Sequence, residues 1–209
     1  MEWIWILLAA ALAYLIGSIS TAILVGKILS GDDIRSHGSG NAGATNALRT
    51  YGKKAALFVL LGDVLKAVIA VGVARLIWNI ADMSDTIWRL MLYASTVAAV
   101  LGHNFPIYFN FRGGKGVLVS VVAVFFADWR IGLCVLVIAL SIMAISKFVS
   151  LGSVLGAVSD VILVALLHWG DWLFLAHAVV LAALLIYMHR TNIKRLLNGT
   201  ENKLGKKKA

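Results

Sequence analysis

Ala55–Trp78 reads AALFVLLGDVLKAVIAVGVARLIW. A membrane-spanning helix needs about 20 predominantly apolar residues, and this run supplies them. Two charges lie inside it, Asp63 and Lys66, and Arg75 lies near its end. Ionisable groups within a span are expensive and mark function by default. At i and i+3, Asp63 and Lys66 can pair with each other or serve a substrate.

Six further apolar runs flank it: Trp3–Val25, Ile87–Leu101, Val117–Ala127, Ile131–Ser146, Val149–Trp169 and Trp172–Met188. The whole chain is 61% hydrophobic and 14% charged, against roughly 45–50% and about 25% in soluble domains. These values predict an all-α polytopic membrane protein with seven transmembrane helices. The fourth and fifth are short; the fourth covers about 16 Å at 1.5 Å per residue, so its ends must be buried in protein. Five full spans with two re-entrant pieces is the rival arrangement. The N-terminal Met1-Glu2-Trp3-Ile4-Trp5 lacks a basic leader and reads as the start of the first span.

Charge orients the spans. The breaks at 26–54, 102–116, 147–148 and 189–209 hold 15 of the 19 Lys and Arg residues. By the positive-inside rule they face the cytoplasm, which places the N-terminus outside and the C-terminus inside a bacterial cell (inner) membrane. Trp3, Trp5, Trp78, Trp88, Trp129, Trp169 and Trp172 collect at the opposite boundary as an aromatic belt. A net charge of +9 alone would suggest nucleic acid, but the aromatics lie within apolar runs and not among the basic residues, which excludes that partner. Residues 1–197 read as one transmembrane domain. Residues 198–209, ending Lys206-Lys207-Lys208, read as a mobile basic tail near anionic membrane lipids. Cys134, the single cysteine, lies in an apolar run and cannot form an intrachain disulfide.

Three polar motifs fall on the predicted cytoplasmic side. Gly38–Arg49 (GSGNAGATNALR) combines glycines, short polar donors and an arginine, the makings of an anion cradle. Ser39, Gly40, Asn41, Asn46 and Arg49 are its candidate ligands. Gly102–Gly116 (GHNFPIYFNFRGGKG) ends in glycines around Lys115, followed by a helix start. It is not a Walker A loop, since position 109 is Phe and Gly116 follows the lysine. Asn104, Gly113, Gly114 and Lys115 are candidates there, against the alternative of a tight turn with an interfacial lysine. His189–Lys203 (HRTNIKRLLNGTENK) carries an apolar stripe at Ile193, Leu196 and Leu197, with His189, Asn192 and Arg195 on another face. Ser150 and Ser153, after Lys147, could serve the site or helix packing. No metal-ligand cluster is present, so neither metal nor other cofactor is expected.

Taken together, the three ordered motifs resemble the signatures of the bacterial acyl-phosphate:glycerol-3-phosphate acyltransferases. Arg112 stands where that family usually has lysine, and Leu118-Val119-Ser120 replaces a smaller Ala-Thr pattern. The resemblance implies acyl transfer from acyl phosphate to the 1-position of sn-glycerol 3-phosphate, with no CoA or acyl carrier protein as direct donor. It implies that Ser39, Arg49 and Lys115 bind phosphate, that His189 and Asn192 hold glycerol phosphate and its hydroxyl, and that backbone around Gly40, Asn41, Gly113 and Gly114 adds donors. An acyl phosphate is already activated, so no nucleophilic Cys or Ser is needed. The proton of the attacking hydroxyl goes either to His189 or to the donor phosphate; the latter is favoured because no carboxylate in the motifs is placed to orient the histidine. A membrane transporter of phosphorylated metabolites is the alternative, opposed by the lack of an internal repeat.

Overall fold

The computed structural model describes residues 2–204, and its regular elements are all helical among those residues. Two compact units divide the chain, Met1–Ala123 and Val124–Ala209. The first contains α1 (Glu2–Gly17), α2 (Thr21–Ser30), α3 (Ala44–Tyr51), α4 (Lys53–Ile80) and α5 (Asp85–Asn104). The division falls within α6 (Val117–Ala127). The second unit holds α7 (Trp129–Ser146), α8 (Val149–Leu167), α9 (Trp172–Met188) and α10 (Arg190–Leu197).

Each of the seven apolar runs is helical. Five segments are long and apolar enough to cross a bilayer: 2–30, 53–80, 85–109, 129–146 and 149–167. The α9–α10 pair, bent by 63°, would make a sixth, and α6 remains a short apolar helix. The fifth run is longer than expected: with Trp129 and Arg130 included it has 18 residues. Leu57, Phe58, Leu60, Leu61 and Leu65 of α4 are all exposed. In water such a stripe would be an aggregation surface; against lipid it is the normal face of a span. Trp3, Trp129, Trp169 and Trp172 also point outward, while Arg75 stacks 3.9 Å over Trp78 and 4.7 Å from Trp88.

In the first unit α1 packs along α5 and α4. Gly17 and Gly102 permit the contact, since a Cβ on either would overlap a carbonyl of the facing helix, Ala99 or Tyr14. Small residues replace bulk where spans cross closely. The Tyr14 hydroxyl donates to the Phe105 carbonyl at 2.8 Å, fixing the end of α5. The run Trp3–Val25 is not one helix: it breaks at Ser18–Ser20. The carbonyl of Ile19, at the break, accepts from Lys66 Nζ at 2.8 Å. A charged donor thus satisfies a backbone group that would otherwise be unpaired in the membrane.

In the second unit α8 packs on α7 and α9. A Cβ on Gly152 would stand 2.6 Å from the Ala139 carbonyl oxygen. Past Leu197 the chain is tied back to the second unit. Leu204 N donates to the Lys147 carbonyl at 2.8 Å. Lys206-Lys207-Lys208 lie outside the described residues.

Candidate active site

Asn46 shapes the first motif. It is 1% exposed, and its amide nitrogen donates to the carbonyls of Ile34 (3.2 Å) and His37 (3.0 Å). Its oxygen accepts from Ser39 N at 2.8 Å. Asn46 therefore folds the loop and does not face a ligand, a correction to its place among the candidate contacts. Gly40 N is bonded to the His37 carbonyl and Gly43 N to the Asn41 carbonyl, so these glycines close turns with their N–H groups. Ser39 and Arg49 remain on the exposed side, with Asn41 and Thr45 half-buried. The first amides of α3, Ala44 and Thr45, precede any intrahelical acceptor and can face an anion.

Arg35 ties this loop to the second motif. Its Nη1 donates to the carbonyls of Phe109 (2.8 Å) and Arg112 (2.7 Å), and its Nη2 pairs with Asp33 at 2.7 Å. Those guanidinium hydrogen bonds hold the Asp33 carboxyl below the usual carboxylate range. Nothing in the sequence marks Arg35 for this role, because a tie to two backbone carbonyls leaves no local signal.

The glycines of the second motif work differently from expectation. Gly113 N donates to the Asn104 carbonyl and Gly114 N to the His103 carbonyl, both at 3.1 Å. They cap the last turn of α5, so their amides are not substrate donors. Gly114 instead provides closeness: a Cβ there would overlap the His103 ring and stand 2.6 Å from the Ala42 carbonyl oxygen. The first two motifs thereby meet at Gly114. Lys115 follows, half-buried, and Gly116 turns with φ +76° into α6. The Val117, Leu118 and Val119 amides open α6 without an acceptor in their own helix. Asn104 is 1% exposed, and neither atom of its amide has a partner among the described residues. Its Oδ1 would lie 2.7 Å from a Cβ on Gly116.

In the second unit, His189 joins α9 to α10 and is 2% exposed. Its Nδ1 lies 2.9 Å from the Leu185 carbonyl. A carbonyl only accepts, so Nδ1 carries a proton. A backbone carbonyl thus orients the ring where no carboxylate was found in sequence.

Asn192 Nδ2 donates to Glu201 Oε1 at 2.7 Å, the Ser150 hydroxyl to the same oxygen at 3.0 Å, and Arg195 Nε to Oε2 at 2.7 Å. Burial raises the Glu201 carboxyl, but the Arg195, Asn192 and Ser150 hydrogen bonds outweigh it and leave it below the ordinary value. Ser150 is thus a support for Glu201. Ser153 donates to the Val149 carbonyl at 2.9 Å, the packing alternative. Glu201 itself, inside the third motif, was missed because its partners precede it by up to 51 residues. Among the described residues no three His, Cys, Asp or Glu side chains gather as a metal site.

Comparison with known proteins gives the family. A family model described as glycerol-3-phosphate acyltransferase matches residues 7–199. The chain is 45% identical to the glycerol-3-phosphate acyltransferase of Clostridioides difficile (strain 630) over 208 residues, covering 100% of both chains. It is 45% identical to that of Thermoanaerobacter sp. (strain X514) over 201 residues, 96% of each. The crystal structure of PlsY (YgiH), an integral membrane glycerol 3-phosphate acyltransferase in its glycerol 3-phosphate form, superposes with a TM-score of 0.84. Identity there is 34%, with 96% of each chain covered. The lysophosphatidic acid form of the same protein gives a TM-score of 0.79 at 33% identity, covering 96% of this chain and 95% of that one. With three ordered motifs, an all-helical apolar body and full-length relatives at this identity, the chain belongs to the glycerol-3-phosphate acyltransferase family.

Proposed function

We propose that this chain transfers an acyl group from acyl phosphate to the 1-position of sn-glycerol 3-phosphate, giving 1-acylglycerol 3-phosphate and inorganic phosphate. The observation that carries the reading is the junction at Gly114, where the loop that precedes α3 meets the Gly113–Gly116 loop. That junction sets the loop bearing Lys115 against the loop that leads into α3, the helix that carries Arg49. Two substrates that each carry phosphate need such a concentration of cations and oriented N–H groups.

In the reaction the glycerol hydroxyl oxygen attacks the acyl carbonyl carbon. The bond from that carbon to the bridging oxygen breaks, and phosphate leaves with the electron pair. Lys115 and the first amides of α6 stabilise the charge that gathers on the carbonyl oxygen. Arg49 and Ser39 hold phosphate. Asn104 turns its unpartnered amide to the same loop, and Asn41 adds a polar side chain. By the family resemblance His189 and Asn192 hold the glycerol phosphate and its hydroxyl; within Val124–Ala209 the Leu185 carbonyl sets the His189 ring and Glu201 holds Asn192. The proton itself leaves on the phosphate of the donor. A neutral carbonyl behind His189 favours an imidazolium far less than a carboxylate would, and no acyl-enzyme forms.

The seven helical runs then sit as seven spans with the N-terminus outside, in a bacterial cell membrane, and the three motifs open to the cytoplasm. Placing the site at that surface lets the acyl chain enter from lipid and the soluble glycerol phosphate from water.

The test uses purified protein, palmitoyl phosphate and glycerol 3-phosphate without CoA. Release of phosphate matched by lysophosphatidate is expected; no release from folded protein overturns the reading.

A further inference from the structure

Beneath the second loop lies a buried ionic group for which the reaction above has no role. Lys66, on α4, is 5% exposed. Its Nζ has three acceptors: Asp63 Oδ1 at 2.9 Å, the Ile19 carbonyl at 2.8 Å and His103 Nδ1 at 2.9 Å. An ammonium has three protons and no lone pair. With the carboxylate and the carbonyl each taking one, the third goes to His103 Nδ1, and the ring's own proton sits on Nε2. Asp63 Oδ1 lies 3.6 Å from Nδ1, farther than Lys66 Nζ at 2.9 Å.

The Nε2 edge of the ring abuts Gly114, and Nε2 has no hydrogen-bond partner among the described residues. A side chain at position 114 would cover it. Glycine leaves a fixed, neutral N–H uncovered beside Lys115, at the point where the two loops meet.

We infer that His103 donates its Nε2–H to a substrate phosphate oxygen seated over Gly114 and Lys115, and that Lys66 and Asp63 are positioning residues that hold this tautomer. The inference rests on the reading of that loop as a phosphate seat. A neutral donor grips the oxygen without adding charge to a site that must also release phosphate. Lys66 also anchors the α1–α2 break at Ile19, so the same ammonium fixes both the helix break and the imidazole.

The experiment uses the full chain in lipid nanodiscs with 15N-labelled histidine, assigning His103 among the five histidines by His103→Gln. Expected are a bare Nδ1 and a protonated Nε2, with the Nε2 signal moved by a saturating substrate. Glycerol 3-phosphate, inorganic phosphate and a non-reacting alkyl phosphate, titrated separately, identify whose phosphate it touches. Lys66→Met should exchange the tautomer signature. His103→Phe should raise KM for that substrate about 10- to 100-fold with a smaller change in kcat, and His103→Gln, which keeps an acceptor and a donor, should recover most of the loss. An Nε2 signal moved by none of the three ligands, or a protonated Nδ1 in the wild type, overturns the inference. Absence of phosphate release by the wild type would instead overturn the acyl-transfer reading, because the nitrogen signals are read without turnover.

Discussion

The two units support their polar motifs by opposite means. In Met1–Ala123, backbone does most of the work. Glycine amides cap α5, Arg35 reaches two carbonyls, Asn46 ties three backbone groups, and Lys66 holds a carbonyl at a helix break. In Val124–Ala209 one carboxylate, Glu201, gathers Ser150, Asn192 and Arg195. The first scheme fixes a loop whose path must be exact to fractions of an ångström, and it tolerates no added atoms. The second fixes side chains on two helices and a following turn through a single charge, so it depends on protonation.

Removing the two cations proposed to hold phosphate should have the largest effect. Lys115→Ala and Arg49→Ala are each expected to cut turnover about 10²- to 10³-fold, the loss seen when a preorganised donor is removed. Phosphate release measures it, and membrane insertion and thermal unfolding should match wild type. Unchanged turnover would take either residue out of the site.

Next in size is Gly114→Ala, whose Cβ overlaps the His103 ring. A loss of about 10²-fold in turnover is expected, in line with a misplacement of about 1 Å near reacting groups. Gly72 on α4 sharpens the contrast, since a Cβ there meets nothing within 4 Å. Gly72→Ala should leave turnover unchanged and stabilise α4 by up to about 1 kcal/mol, measured by thermal unfolding.

Glu201→Gln tests the second scheme. Loss of the charged acceptor should destabilise the protein by about 1–3 kcal/mol, read as a lower unfolding midpoint at pH 7. The carboxyl is depressed in the folded protein, so its contribution is full above its unfolded value of about 4.3 and is lost as pH falls through the folded value. Wild type and variant should therefore converge in acid. A gap that persists there would assign the effect to shape and not to charge.

The contrast also explains what could be read from sequence. The apolar runs and their charge asymmetry are local sums over many residues, and α6 and α9 begin and end where the hydropathy does. Lys115, Arg49, His189 and Asn192 stand out because polar residues at the ends of apolar runs need a reason. The break at Ser18–Ser20 carries no proline, and it exists because Lys66, far along the chain, satisfies Ile19. His103 looked like one polar residue among several in its motif until α4 placed Lys66 against it. Gly113 and Gly114 were expected as anion donors because glycine signals freedom of backbone, not the direction in which the amide points. Glu201 was invisible because its three donors come from α8 and α10, which only tertiary structure gathers.

The central claim is acyl transfer with carbon–oxygen cleavage of an acyl phosphate. It is tested most directly with palmitoyl phosphate carrying 18O in the bridging oxygen, incubated with glycerol 3-phosphate and the purified protein. The label is expected wholly in inorganic phosphate, with unlabelled ester oxygen in the lysophosphatidate. Label retained in palmitate, or lysophosphatidate formed only when an acyl thioester is supplied, would contradict it.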